Sequence, residues 1–224
     1  MNPEIPSYVG FLFILTTLLT VWLFKRALKP KPVVFLLLFI WLAAQGSIAW
    51  LGFYDDTMSL PPRFALVILP ALLLIAALFI SKQGRAWIDA LELENLHWVH
   101  VVRIPVEITL WLLFIANQIP ELMTFEGRNL DIIAGLTAPI VIIYGLRKGI
   151  LDNQRILLWN IIGIGLLLNI VIMAILSIES PFQQLAFNQP NKAVIQFPFV
   201  WLPAFIVPFV LFSHLASLRQ LLKK

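Results

Sequence analysis

An all-α bundle of seven membrane-spanning helices is the fold this sequence predicts, and three observations predict it. Hydrophobic residues make up 60% of the 224 residues and charged residues 12%, against about 45–50% and about 25% in an ordinary soluble domain. The apolar residues come in runs near the length of about 20 that one crossing needs. Those runs do not alternate apolar and polar positions as barrel strands would. A helix satisfies its own backbone in lipid, so the runs read as helices.

Seven candidate spans follow in order: Tyr8–Phe24, Val33–Phe53, Phe64–Ile80, His97–Ile119, Ile132–Leu146, Ile156–Ile178 and Phe197–Leu218. Charges or turn-forming residues separate them: Lys25-Arg26 with Pro30 and Pro32, Asp55-Asp56 with Pro61-Pro62, Lys82 with Gly84, Glu126 to Asn129, Arg147 to Gly149, and Gln189 to Asn191. The spans nearly use up residues 1–224, which gives a single transmembrane domain.

Basic residues orient the bundle. Twelve of the 16 lie on one side: Lys25, Arg26, Lys29, Lys31, Lys82, Arg85, Arg147, Lys148, Arg155, Arg219, Lys223 and Lys224. Only Arg63, Arg128 and Lys192 lie on the other, and Arg103 falls inside the fourth span. The positive-inside rule then puts the N-terminus outside and the C-terminus in the cytoplasm. Nothing basic precedes the first run, which reads as a retained helix rather than an export signal. The basic loops meet anionic headgroups, so the bilayer is the first partner and nucleic acid is not one. With no cysteine, thiolate metal sites and disulfides are excluded.

Two connections stand out. Gly84 to Asn95 places Trp87, Ile88 and Leu91 on one helical face and acids on the other, which suits a short helix on the cytoplasmic surface or a polar loop. Glu179 to Gln196 is the longest external connection and reads first as a solvated loop, second as a lid or docking surface.

The fourth span carries the chemistry. At 100° per residue, His100, Arg103, Glu107, Phe114, Asn117, Gln118 and Glu121 share an arc of roughly 100°. Charges cost about 2.5–3.5 kcal/mol each at a helix centre on insertion scales, and they mark pathways, relays or binding sites. Arg103 and Glu107, four apart, can bond directly. Pro105 lacks an N–H for the Val101 carbonyl and is expected to kink the helix. Asn160 and Asn169, Tyr144, Gln45, Ser213 and His214 on other spans could meet this face. Pro203 and Pro208 make the seventh span the one most prone to bend.

The expected site is therefore His100, Arg103, Glu107, Asn160 and Gln118, binding or passing a small polar solute or a proton. No cofactor and no metal are expected. The only metal-like spacing is His97-x-x-His100, which needs ligands from another helix. Two alternatives stay open: a metal- or haem-dependent membrane enzyme using His100, His214 and Glu107, and a structural or assembly subunit whose charged face docks on a second copy or another membrane subunit. A retinal pigment is excluded, because Phe197–Leu218 holds no lysine for a Schiff base.

The stretches HWVHVVRIPVE (His97–Glu107), PELMTFEGRNLDIIAGLTAP (Pro120–Pro139) and FPFVWLPAFIVP (Phe197–Pro208) resemble a family of uncharacterised bacterial membrane proteins. The resemblance implies the bacterial inner membrane as the location and no particular chemistry.

Overall fold

A helix appears wherever the sequence carries a long apolar run, and the computed structural model, which describes residues 5–223, contains no strand among them. Lys224 and the first four residues, used above for charge and orientation, lie outside the described residues. The helices are α1 (Ser7–Leu28), α2 (Pro32–Trp50), α3 (Ala65–Ile80), α4 (Lys82–Asp89), α5 (Leu93–Ile115), α6 (Ile132–Arg147), α7 (Asn153–Leu176) and α8 (Leu202–Leu221). Five of these, α1, α2, α5, α7 and α8, are long and apolar enough to cross a membrane. The pair α3 and α4 adds a sixth if the two, bent by 89°, count as one span.

Local sequence sets the ends and the irregularities. Pro32 starts α2, where its missing N–H costs nothing. Asp152 caps α7 by accepting from Arg155 N–H at 2.8 Å. Ser81 accepts from Gly84 N–H at 3.0 Å and turns the chain into α4. A Cβ on Gly84 would lie 2.2 Å from the Leu78 carbonyl oxygen, so this corner needs glycine. The Gly84–Asn95 stretch thus resolves into a real short helix with Ile88 buried, followed at once by α5.

Prolines loosen three helices. In α5, Pro105 has no N–H for Val101, and the turn before it tightens to a 3₁₀ turn over Val99–Val102, with Arg103 N–H bonded to His100 O. In α6, Pro139 precedes a π-helical stretch, Val141–Arg147, in which Lys148 N–H reaches Ile143 O at 3.0 Å. In α8, the stretch Leu202–Ile206, which contains Pro203 and ends two residues before Pro208, is also π-helical, and Val207 N–H bonds Leu202 O.

The core is α5 and α8. Of the residues in the most apolar window, 50% are buried in α5 and 67% in α8, against 22% in α2. α8 packs along α7 and against α3, α4 and the start of α5, while α1 and α6 flank α5. Phe24 meets Phe205 and Phe209, and Phe13 meets Phe199, so α1 also seals against α8.

Helix α6 is short, and its 16 residues rise only about 24 Å. Its Gly135 packs on Arg103 and Ile104 of α5; a Cβ there would be 3.2 Å from Arg103 Cβ. α6 therefore begins beside the middle of α5, which continues to Ile115. Residues 116–131 fold back down along that upper half, burying Met123, Thr124 and Asn129. Backbone packed against a helix needs partners for its polar groups, and α7 supplies some through contact with Glu121–Met123 and a bond from Asn169 Nδ2 to Arg128 O at 3.0 Å.

The fourth span is displaced rather than shortened: its 23 residues begin at Leu93 and end four residues before Ile119. α5 stops at Ile115, and Asn117 adopts φ 58°, so Asn117, Gln118 and Glu121 leave the helical face assigned to them. The connection 179–196 is likewise no plain solvated loop. Asn191, Ala193, Val194 and Ile195 are buried. Gln189 Nε2 donates to Phe114 O and Ile119 O at 3.2 and 2.6 Å, and Lys192 and Ala193 donate their N–H groups to Gln118 O. These bonds tie the connection to the last turn of α5 and to the residues just past it.

Candidate functional site

The 3₁₀ turn in α5 arranges the site. Side chains at i and i+3 eclipse in such a turn, so His97, His100 and Arg103 line one edge of the helix. All three are at most 2% exposed. Arg103 lies at the centre of a hydrogen-bonded network with two arms.

The inner arm runs through three helices. Arg103 Nη2 donates to His214 Nε2 on α8 at 2.9 Å. His214 Nδ1 donates to Asn160 Oδ1 on α7 at 2.8 Å. Asn160 Nδ2 donates to His97 Nε2 at 3.1 Å, and His97 Nδ1 donates to Leu93 O at 2.8 Å. A guanidinium can only donate and a carbonyl can only accept, so both histidines are neutral with the proton on Nδ1. Asn160 is further held by its bond to Ile156 O, and Arg103 by a bond to Gly163 O.

The outer arm runs through the folded-back connection. Arg103 Nη1 donates to Asp131 Oδ1 at 2.8 Å. Asp131 N–H donates to Asn129 Oδ1 at 3.0 Å. Asn129 Nδ2 then faces both oxygens of Glu107, at 2.6 and 2.7 Å, as well as Met123 O at 3.0 Å. Glu107 is 1% exposed and Asp131 is 4% exposed.

The expected Arg103–Glu107 ion pair is absent. Arg103 pairs with Asp131, a residue at the start of α6 that the sequence reading passed over. The reason is geometric: the close approach at Gly135 brings the N-terminus of α6 to the guanidinium, while Asn129 occupies both carboxylate oxygens of Glu107. Asn129 and Asp131 carry a sequence signal, two polar residues ahead of an apolar run. It is the same signal as an ordinary helix start.

Of the expected residues, Arg103 reaches Asn160 through His214, His100 stacks on that same ring, and Glu107 is linked to Arg103 through Asn129 and Asp131. Gln118 does not join them; it lies past the end of α5, under Lys192 and Ala193. His214, expected to meet this face or to serve the enzyme alternative, and His97, of the His97-x-x-His100 spacing, are both integral to the network. Gln45 instead accepts from Tyr54 Oη at 2.7 Å, Ser213 bonds its own helix, and Tyr144 is 44% exposed under Lys148.

His100 differs from its neighbours. Both ring nitrogens are buried without a hydrogen-bond partner. The ring stacks on His214 with centroids 3.8 Å apart and planes at 23°, and Trp159 closes the side edge-on at 5.2 Å. The facing of α5 and α8 that shared ligation would require is present, but the rings lie face to face. In-plane lone pairs of stacked rings do not converge on one point about 2 Å away, as a zinc or iron ion requires. Among the described residues no group of three or more His, Cys, Asp or Glu is placed to hold a metal.

The chain belongs to the family described as Domain of unknown function (DUF8737), which matches residues 60–222. That range contains the whole network. Comparison with curated proteins and with solved structures gives no match.

Proposed function

We propose that this member of the family is a seven-span membrane protein that binds and passes a proton or a small polar solute at the buried network around Arg103. One observation carries the reading. Among the described residues Arg103 is the single buried positive charge, set beside two buried carboxyls, Glu107 and Asp131, while hydrogen bonding keeps His97 and His214 neutral. Burying an unbalanced charge is costly, so the cluster has use for one further positive charge that can come and go. Intramembrane charges are usually placed for such work.

The setting proposed is the bacterial inner membrane, with the N-terminus outside, the C-terminus in the cytoplasm and α6 as the short fifth span. A reporter fused after Lys224 is expected in the cytoplasm and one inserted near Gln184 outside; finding both on one side would refute the orientation. Function is tested in lipid vesicles carrying the purified protein and an internal pH dye. Under an imposed pH gradient, proton entry above that of protein-free vesicles is expected, and Glu107→Gln should abolish it. Wild-type vesicles that pass neither protons nor small polar solutes would overturn the proposal.

A further inference from the structure

The two arms of the network are not equivalent as proton carriers. A hydrogen-bonded chain passes protons repeatedly only if each link can reverse after a passage. The inner arm begins at Arg103, which can only donate, and ends at Leu93 O, which can only accept. Turning the Asn160 amide over would aim its oxygen at His97 and its NH2 at His214. His97 would then have to donate from Nε2 and release Leu93 O, and His214 would have to donate from Nε2 into the N–H of Arg103. Both ends oppose the reversed order. While Arg103 stays on His214, this arm is locked.

The outer arm ends differently. Asn129 is fixed by Asp131 N–H on its oxygen and by Met123 O on its nitrogen. Its two amide hydrogens face three acceptors: both Glu107 oxygens and Met123 O. The Glu107 carboxyl is thus short of hydrogens and can accept one without any other link turning. Asp131, by contrast, already holds the guanidinium. The charged groups acting on Glu107 are Arg103 from its own helix and Asp131 from α6.

We infer that Glu107 is the seat of the exchangeable proton, and that the His97–Asn160–His214 arm positions Arg103 without carrying protons. This rests on the proton-handling reading above and narrows its ligand to the proton.

The test uses the full-length protein in lipid. Above about pH 6, where exposed carboxyls are ionised, infrared spectra should show the carbonyl stretch of one protonated carboxyl that comes and goes with pH, is missing in Glu107→Gln and persists in Asn160→Leu. Nitrogen spectra of ring-labelled wild-type protein should show His97 and His214 neutral and protonated on Nδ1 throughout that range. A titrating carboxyl band that survives Glu107→Gln, or a charged ring at His97 or His214 in that range, overturns the inference. Vesicles without proton flux but with the Glu107 band intact would refute transport and leave the seat standing.

Discussion

The inner arm is built on helices and the outer arm on a connection, and the two solve the burial of polarity in opposite ways. Leu93, His97, Asn160 and His214 sit on α5, α7 and α8, and every link beyond Arg103 is between neutral groups. Asn129 and Asp131 sit where the chain folds back into the bundle; Asp131 pairs with the guanidinium, and the Asn129 amide holds the second carboxyl, Glu107. The first arrangement fixes geometry, because regular helices hold each donor opposite its acceptor. The second arrangement holds charge, delivered by a connection and by the N-terminus of α6 that follows it. Arg103 belongs to both, so damage to it should exceed damage to either arm.

The largest effect is therefore expected for Arg103→Met. Removing it strands Asp131 and Glu107 without a counter-charge and should destabilise the protein by about 3–5 kcal/mol, read as a fall in the thermal midpoint in detergent. Adding Asp131→Leu should recover part of the loss. A coupling between Arg103 and Asp131 no larger than that between Arg103 and Glu107, measured by double-mutant cycles, would show that the observed pairing is not the operative one.

Next comes Asn160→Leu, which breaks the inner arm alone and leaves one donor and one acceptor buried without partners, at about 1–3 kcal/mol each. Its thermal midpoint should fall less than that of Arg103→Met. A larger fall would reverse the ranking of the two arms.

Gly163→Ala is a subtler probe of the same arm. An added Cβ would lie 2.4 Å from His214 Cε1 and 2.5 Å from its Nε2, so the imidazole must move off Arg103 at a cost of about 1–3 kcal/mol. Gly165→Ala, two residues along the same helix with nothing within 4 Å, should instead be neutral or stabilising by up to about 1 kcal/mol. Equal stability of these two variants would mean that His214 is not held where the network needs it.

The smallest effect is expected at the surface. Asp89 on α4, outside the spans, bonds Arg219 at 2.9 Å and also Lys223, and these partners hold its carboxyl below the usual carboxylate range. A lowered folded-state value contributes stability above the unfolded value, and that contribution is lost as pH falls through the folded one. Asp89→Asn should thus flatten slightly the acid limb of the stability curve and leave neutral stability nearly unchanged, because exposed pairs are weak. A loss comparable to that of Asn160→Leu would show that α4 is a structural clamp on α8.

Much of the fold was legible in the sequence because helix formation in apolar runs is local. All seven apolar stretches contain a helix, with ends within about five residues; the largest miss is at Phe197, where the helix waits until Leu202, and another is after Ile115, where Ala116 and Asn117 leave the helix without a glycine or proline to announce it. The candidate site was legible in part. His100, Arg103 and Glu107 share one face by periodicity, and Asn160 was reachable as a buried amide in a span. The partner of Arg103 was not, since a residue four positions away competes with one 28 positions away and only packing decides between them. Gln118 failed for the related reason that a helical face means nothing past the end of the helix.

What the sequence determined by itself is an all-helical chain with helices apolar enough to cross a membrane and one of them carrying buried charge, because hydropathy and helical period depend on neighbouring residues alone. The tertiary structure decided which charges meet. Gly135 lets α6 start against the middle of α5 and so delivers Asp131 to Arg103, while Gly163 leaves room for His214 to reach the same guanidinium. Hydrogen bonds and ion pairs act over a few ångströms between residues far apart in the chain, and only the packing of helices against one another sets those distances.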